Sequence, residues 1–232
     1  MKKVLFALVA MSLLFTACED GNDDFIKLKE VDDVCTMMDD INFMAYCYEE
    51  FDVNKDGKVS VSEAAAVSII DGYDGFNSIK GIEYFTNIER LSSKANKRGL
   101  RAHDINLSNH KKLREVRLSF AASEFRNSPT KISINFGNNT VLENLYLDGC
   151  NLNDMDLSEC VNLTEVKIHD VAIENLNLAN GNEIDLFLKG WDNARKDIPA
   201  LTIWLKQGQI LNIENTCYNW FDLYNYTIKY VD

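Results

Sequence analysis

The chain has 232 residues, 46% hydrophobic and 26% charged, the balance of a folded protein of about one to two domains, which excludes a wholly disordered chain. Lys and Arg number 24 against 36 Asp and Glu, and a formal charge of −12 excludes a general nucleic-acid surface, which needs a basic face to displace counterions. Two prolines and 11 glycines exclude collagen-like and linker-like architectures, and no stretch reaches the about 18 apolar residues of a membrane-spanning helix.

Residues 1–17 have the layout of a secretory signal: Lys2 and Lys3, an apolar run from Val4 to Phe15, then small residues before Cys18. The ending Phe15-Thr16-Ala17-Cys18 resembles a bacterial lipobox, which implies cleavage before Cys18 and a lipid anchor on it. The acidic tether over residues 18–30, Glu19, Asp20, Asp23 and Asp24 included, resembles the export signal of surface lipoproteins of Gram-negative gut bacteria. It implies an outer-membrane address facing outward, with the periplasmic face as the alternative. Losing residues 1–17 removes two lysines and no acid, so the mature surface is more acidic still and favours a monomer that keeps away from phosphates. The remaining cysteines, Cys35, Cys47, Cys150, Cys160 and Cys217, are odd in number and lack zinc-ligand spacing. Buried free thiols fit them best, and one bridge, Cys35 to Cys47 or Cys150 to Cys160, stays open.

Residues 52–63, DVNKDGKVSVSE, place Asp52, Asn54, Asp56, Lys58, Ser60 and Glu63 at positions one, three, five, seven, nine and twelve of a calcium loop. A hard cation takes six to eight oxygens, and this spacing offers three short side chains, a backbone carbonyl at Lys58, a water-bridged Ser60 and a bidentate Glu63. Gly57 allows the sharp turn. Val31, Val34, Met38, Ile41, Ala45, Tyr48 and Phe51 recur at helical spacing before the loop, and Glu63–Ile70 predicts an exiting helix. The whole is similar to an EF-hand, here a cap over residues 31–72. Lys55 and Lys58 offset part of the ligand charge, which points to the weak, extracellular end of calcium affinities and to a structural Ca2+ ion. No second loop of this pattern follows, so the unit must lean on something else.

Over residues 73–198 the chain repeats itself. Leu142, Leu145, Leu147, Cys150 and Leu152 fit the leucine-rich-repeat pattern, and Leu163, Val166, Ile168, Val171 and Ile173 repeat it at a period of about 21 residues. Further copies start at Ile88, Leu113 and Ile184, the one at Leu113 carrying an insertion. Half-repeats at Ile105-Asn-Leu107, Ile134-Asn-Phe136, Met155-Asp-Leu157 and Leu176-Asn-Leu178 mark a second segment in each coil. About five stacked coils result, with one continuous core and parallel strands on one face. With Gly81-Ile82-Glu83-Tyr84-Phe85-Thr86-Asn87-Ile88 leading in, residues 50–210 resemble leucine-rich-repeat lipoproteins of gut bacteria with an EF-hand-like cap. The resemblance implies a leucine-rich-repeat solenoid, α/β in class and strand-dominated, although the family's repeated asparagine is mostly absent.

Residues 199–232 end in Tyr218, Trp220, Phe221, Tyr224, Tyr226 and Tyr230, an aromatic β cap that seals the last coil, with sugar stacking as the other use. His103, His110 and His169 fall in different coils, and none of the nucleophile, phosphate-loop or metalloprotease spacings occurs, so no enzyme is expected. His169 reads as a solvated strand-end residue. The positions between the leucines point outward, and Glu115, Arg117, Asn144, Tyr146, Glu165 and Lys167 form the candidate face for a protein or glycan partner. The expectation is a non-catalytic adhesion or protein-binding lipoprotein, with glycan capture, or a hydrolase with a hidden site, as the alternative.

Overall fold

A computed structural model describes residues 28–72, 76–93, 99–121, 131–190, 200–217 and 224–232. The signal segment, Cys18 and the tether up to residue 27 lie outside the described residues. So do Tyr218, Trp220 and Phe221.

The chain is a strand-dominated β-solenoid of about five turns. Seven strands stack side by side, every pair parallel: β1 (Ile69–Gly72), β2 (Arg90–Ser93), β4 (Glu115–Ser119), β6 (Asn144–Asp148), β8 (Glu165–His169), β10 (Ile184–Gly190) and β12 (Leu211–Cys217). The half-repeats form the return strands. β3 (Asp104–Asn106) pairs with β5 (Ser133–Asn135), while β7 (Met155–Asp156), β9 (Asn175–Asn177), β11 (Leu201–Lys206) and β13 (Tyr226–Val231) make a four-stranded sheet. Strands alternate faces with period two, so each coil sends every second residue inward. Val116, Leu145, Val166 and Leu186 pair in one row, and Leu118, Leu147, Ile168 and Leu188 in the next. All are at most 1% exposed. A single coil cannot cover these side chains; its neighbours do.

The N-terminal region is a helix, a loop and a helix: α1 (Ile41–Phe51) and α2 (Val61–Ala66). The apolar spacing from Val31 predicts a longer first helix, but the backbone breaks at Asp40, whose side chain caps the N–H groups of Asn42 and Phe43. Val34–Met37 is only a 3-10 turn. The second helix is also shorter than predicted. It stops at Ala66, and β-branched Ile69 and Ile70 enter the sheet as β1, where Ile70 is fully buried beside Leu91. The unit leans on its own upstream chain: the Val34 N–H donates to the Val59 carbonyl (2.8 Å), and the Val59 N–H to Asp33 Oδ1 (3.2 Å).

Aromatic rings weld this unit to the first coil. Phe43 packs on Phe76 (4.8 Å between centroids) and Phe51 on Phe85 (5.5 Å). Asp40 ties the same joint, since its second oxygen accepts from the backbone N–H and side-chain amide of Asn77. Burial alone would raise its pKa, but the N–H of Phe43 and both Asn77 donors outweigh that and hold the carboxyl below its ordinary value.

A polar column runs inside the solenoid that the repeat alignment did not point to. Asn139 donates to the carbonyls of His110 and Leu113 in the preceding coil and accepts from the N–H groups of Val141 and Leu142. Asn180 does the same work later, donating to Cys160 and Leu163. His110, fully buried, donates from Nε2 to the Ile82 carbonyl at 3.0 Å. Burial pushes its pKa below the ordinary value, against a raising effect of that carbonyl. Cys35, Cys47, Cys150 and Cys160 are buried free thiols, and burial takes the Cys160 pKa up to about 12. Among the described residues no helix is long and apolar enough to cross a membrane.

Candidate functional site

The 52–63 loop is closed by its own hydrogen bonds. Asp52 accepts from the N–H groups of Asp56 (3.1 Å) and Gly57 (2.9 Å), Asn54 from Asp56 (2.8 Å), and Asp56 from Lys58 (3.0 Å). Positive φ at Lys55 (58°) and Gly57 (84°) lets the chain turn this tightly. Glu63 spans the mouth. One oxygen accepts from Val53 and Asn54; the other accepts from the Ser60 N–H and hydroxyl, and the Glu63 N–H donates back to Ser60 Oγ (3.2 Å), a reciprocal pair that makes Ser60 and Glu63 a capping box for α2. These Ser60 bonds, the backbone one foremost, hold the Glu63 carboxyl below its ordinary pKa. The donors are hard oxygens with lone pairs to spare, the chemistry calcium requires. Among the described residues, however, no three His, Cys, Asp or Glu side chains are drawn together as ligands of one ion. The Ser60-x-x-Glu63 spacing is itself the sequence signature of a capping box, the signal that shows these two residues holding a helix end as well as standing in a calcium loop.

The second candidate is the outer face of the seven-stranded sheet. Strand register sorts its side chains into rows. Glu115, Asn144, Glu165, Asp185 and Asn212 are lateral neighbours, and the next row is Arg117, Tyr146, Lys167, Phe187 and Glu214. All six residues predicted for the face line one depression of about 380 Å³, together with Val116, Ser119 and Leu145. Tyr146 and Lys167 also border a second hollow of about 360 Å³, lined by His169, Phe187, Lys189, Glu214 and Thr216 among others.

On two strands of this face the charges are matched within the strand. Arg117 pairs with Glu115, two residues back on β4, and Lys167 with Glu165 on β8, at 2.8 Å. Lys167 Nζ also lies 5.0 Å from the Phe187 ring centroid. His169 is not a solvated strand end. Its side chain is 13% exposed, with Nδ1 3.2 Å from Asp148 and 3.4 Å from the Tyr146 hydroxyl. It faces the hollow because β8 is in register with β6, a fact that depends on pairing and not on its own neighbours. No family model matches the chain, and no curated protein matches it.

Proposed function

We propose that this chain is a non-catalytic recognition module, built on a leucine-rich-repeat scaffold, whose partner, a protein or a glycan, is taken on the outer face of the seven-stranded sheet. The observation that carries this reading is the gathering of Glu115, Arg117, Asn144, Tyr146, Glu165 and Lys167 around one depression. Parallel coils hold these side chains at fixed spacing, so the face is preorganised and little ordering entropy opposes binding. A Tyr146→Ala, Lys167→Ala double variant should fold normally by circular dichroism and fail to bind cells or surfaces that the parent chain binds. Equal binding by both proteins would remove the face from the account.

The same reading makes the 31–72 unit an EF-hand-like cap and the chain a lipoprotein anchored through Cys18 at the outer membrane. Hard oxygen donors at Asp52, Asn54, Asp56 and Glu63 support calcium, and the lipobox-like FTAC sequence supports the anchor. An ion bound to the folded state alone must stabilise it by mass action. The melting temperature should therefore rise with calcium, fall with chelator, and lose that dependence in Glu63→Gln. An unchanged melting curve would leave the loop as a capping turn only. Mass spectrometry of the mature N-terminus tests the anchor: an unmodified Cys18 would refute it.

A further inference from the structure

The depression has an internal symmetry that narrows its ligand. β4 carries Glu115 and Arg117 and β8 carries Glu165 and Lys167, each an acid followed two residues later by the cation it binds. Between them β6 places Asn144 in the acid row and Tyr146 in the cation row. Two ion pairs thus flank one amide and one ring, the pairs standing two strand spacings, about 9.6 Å, apart. The four charges sum to zero, and each is already satisfied by its own strand partner. An anionic or cationic ligand would have to break one of these pairs to gain another. A ligand rich in hydroxyls does not. It can donate to the carboxylates and the Asn144 oxygen while accepting from the guanidinium, the ammonium and the Asn144 amide, and lay an apolar C–H patch against Tyr146.

Resting on the recognition reading above, we infer that this depression binds an uncharged saccharide, one or two sugar units seated over Asn144 and Tyr146 between the two ion pairs. Its volume of about 380 Å³ lies in the small-molecule range and suits a short stretch of a longer chain.

The test is calorimetric titration of the full chain with neutral hexaoses of glucose, mannose and galactose, beside a polyuronate and a sulfated hexaose. Tyr146→Ala, Tyr146→Phe and Lys131→Ala serve as variants, the last because Lys131 pairs with Glu174 away from this face. A neutral hexaose should bind, weaken about tenfold or more in Tyr146→Ala, a loss of one ring contact, and hold its affinity in Tyr146→Phe and Lys131→Ala. Binding of only the charged saccharides overturns the inference, as does neutral binding that Tyr146→Ala leaves intact. If no saccharide binds but a protein partner protects β4, β6 and β8 from hydrogen exchange, the inference fails and the recognition reading stands. If no ligand of any kind protects those strands, both fail.

Discussion

Asn139 shows how much one side chain carries in a stacked fold. It fills four hydrogen bonds, two to carbonyls of the preceding coil and two from the Val141 and Leu142 N–H groups in the turn before β6. Truncation leaves those groups buried without partners, so Asn139→Ala should cost about 2–3 kcal/mol, measured as a lower urea midpoint. Asn139→Asp should be no better, since a carboxylate cannot donate to the His110 and Leu113 carbonyls. His110 sets a pH limit at the same scale. Its folded pKa lies below the 6.5 of an ordinary imidazole, so the unfolded chain binds the extra proton. Its contribution is complete above pH 6.5 and is lost as pH falls below it. Urea midpoints should therefore drop more for the parent chain than for His110→Gln between about pH 7 and pH 5, with Glu83 the charged group that partly opposes the effect. Equal drops in both would refute this.

At the scale of elements, the strands were readable from the sequence because their signal is redundant. Leu142, Leu145 and Leu147, then Leu163, Val166 and Ile168, give both the period and the inward face, and each of them is buried. The helices were less readable. Val34 and Met38 are apolar at helical spacing and buried, yet they belong to the turn before Asp40 and not to α1, while Ile41 at the start of that helix is 72% exposed. Spacing cannot tell a helix from a turn that folds onto the same core. The six residues of the face were also readable, as the outward positions between leucines; the closure of Glu115 on Arg117 and the approach of His169 to Asp148 were not, because they depend on rotamers and on strand register. The last coil was readable as an aromatic β cap, but not the bonds that fasten it. In fact Tyr224 acts as a bolt: its hydroxyl accepts from the Val171 N–H (3.0 Å) and donates to the Val171 carbonyl (2.8 Å), while Asn215 bonds both its backbone groups. Tyr224→Phe should cost about 1–3 kcal/mol by orphaning the buried Val171 groups, and hydrogen exchange should quicken at Val171 before it does at Val116. Uniform quickening would mean that the coils open together.

For the whole molecule, the excess of acids is the dominant electrostatic fact. A formal charge of −12 at pH 7 repels itself more in the compact state than in the unfolded chain. Salt screens such repulsion over a length of about 10 Å at 0.1 M, whereas the exposed pairs Arg114 to Glu143 and Lys131 to Glu174 each contribute little. Raising sodium chloride from about 10 mM to 300 mM should therefore stabilise the fold, seen as a higher melting temperature. A fall would show that the surface pairs outweigh the net charge.

Parallel register has a consequence for how such a chain can change. Because side chains alternate with period two, one inserted residue within β6 would turn Tyr146 into the core and Leu145 or Leu147 outward, exchanging both surfaces at once. A whole added coil does no such thing, since it begins and ends in the same phase and presents its neighbours with the contacts they already make. The acid and cation two residues apart on β4 and β8 are carried inside one strand, so a duplicated coil brings its own counter-ion with it. Growth by tandem duplication is thus permitted in units of a coil and forbidden in units of a residue, and copies of the β4 or β8 strand lengthen this face without adding net charge to it.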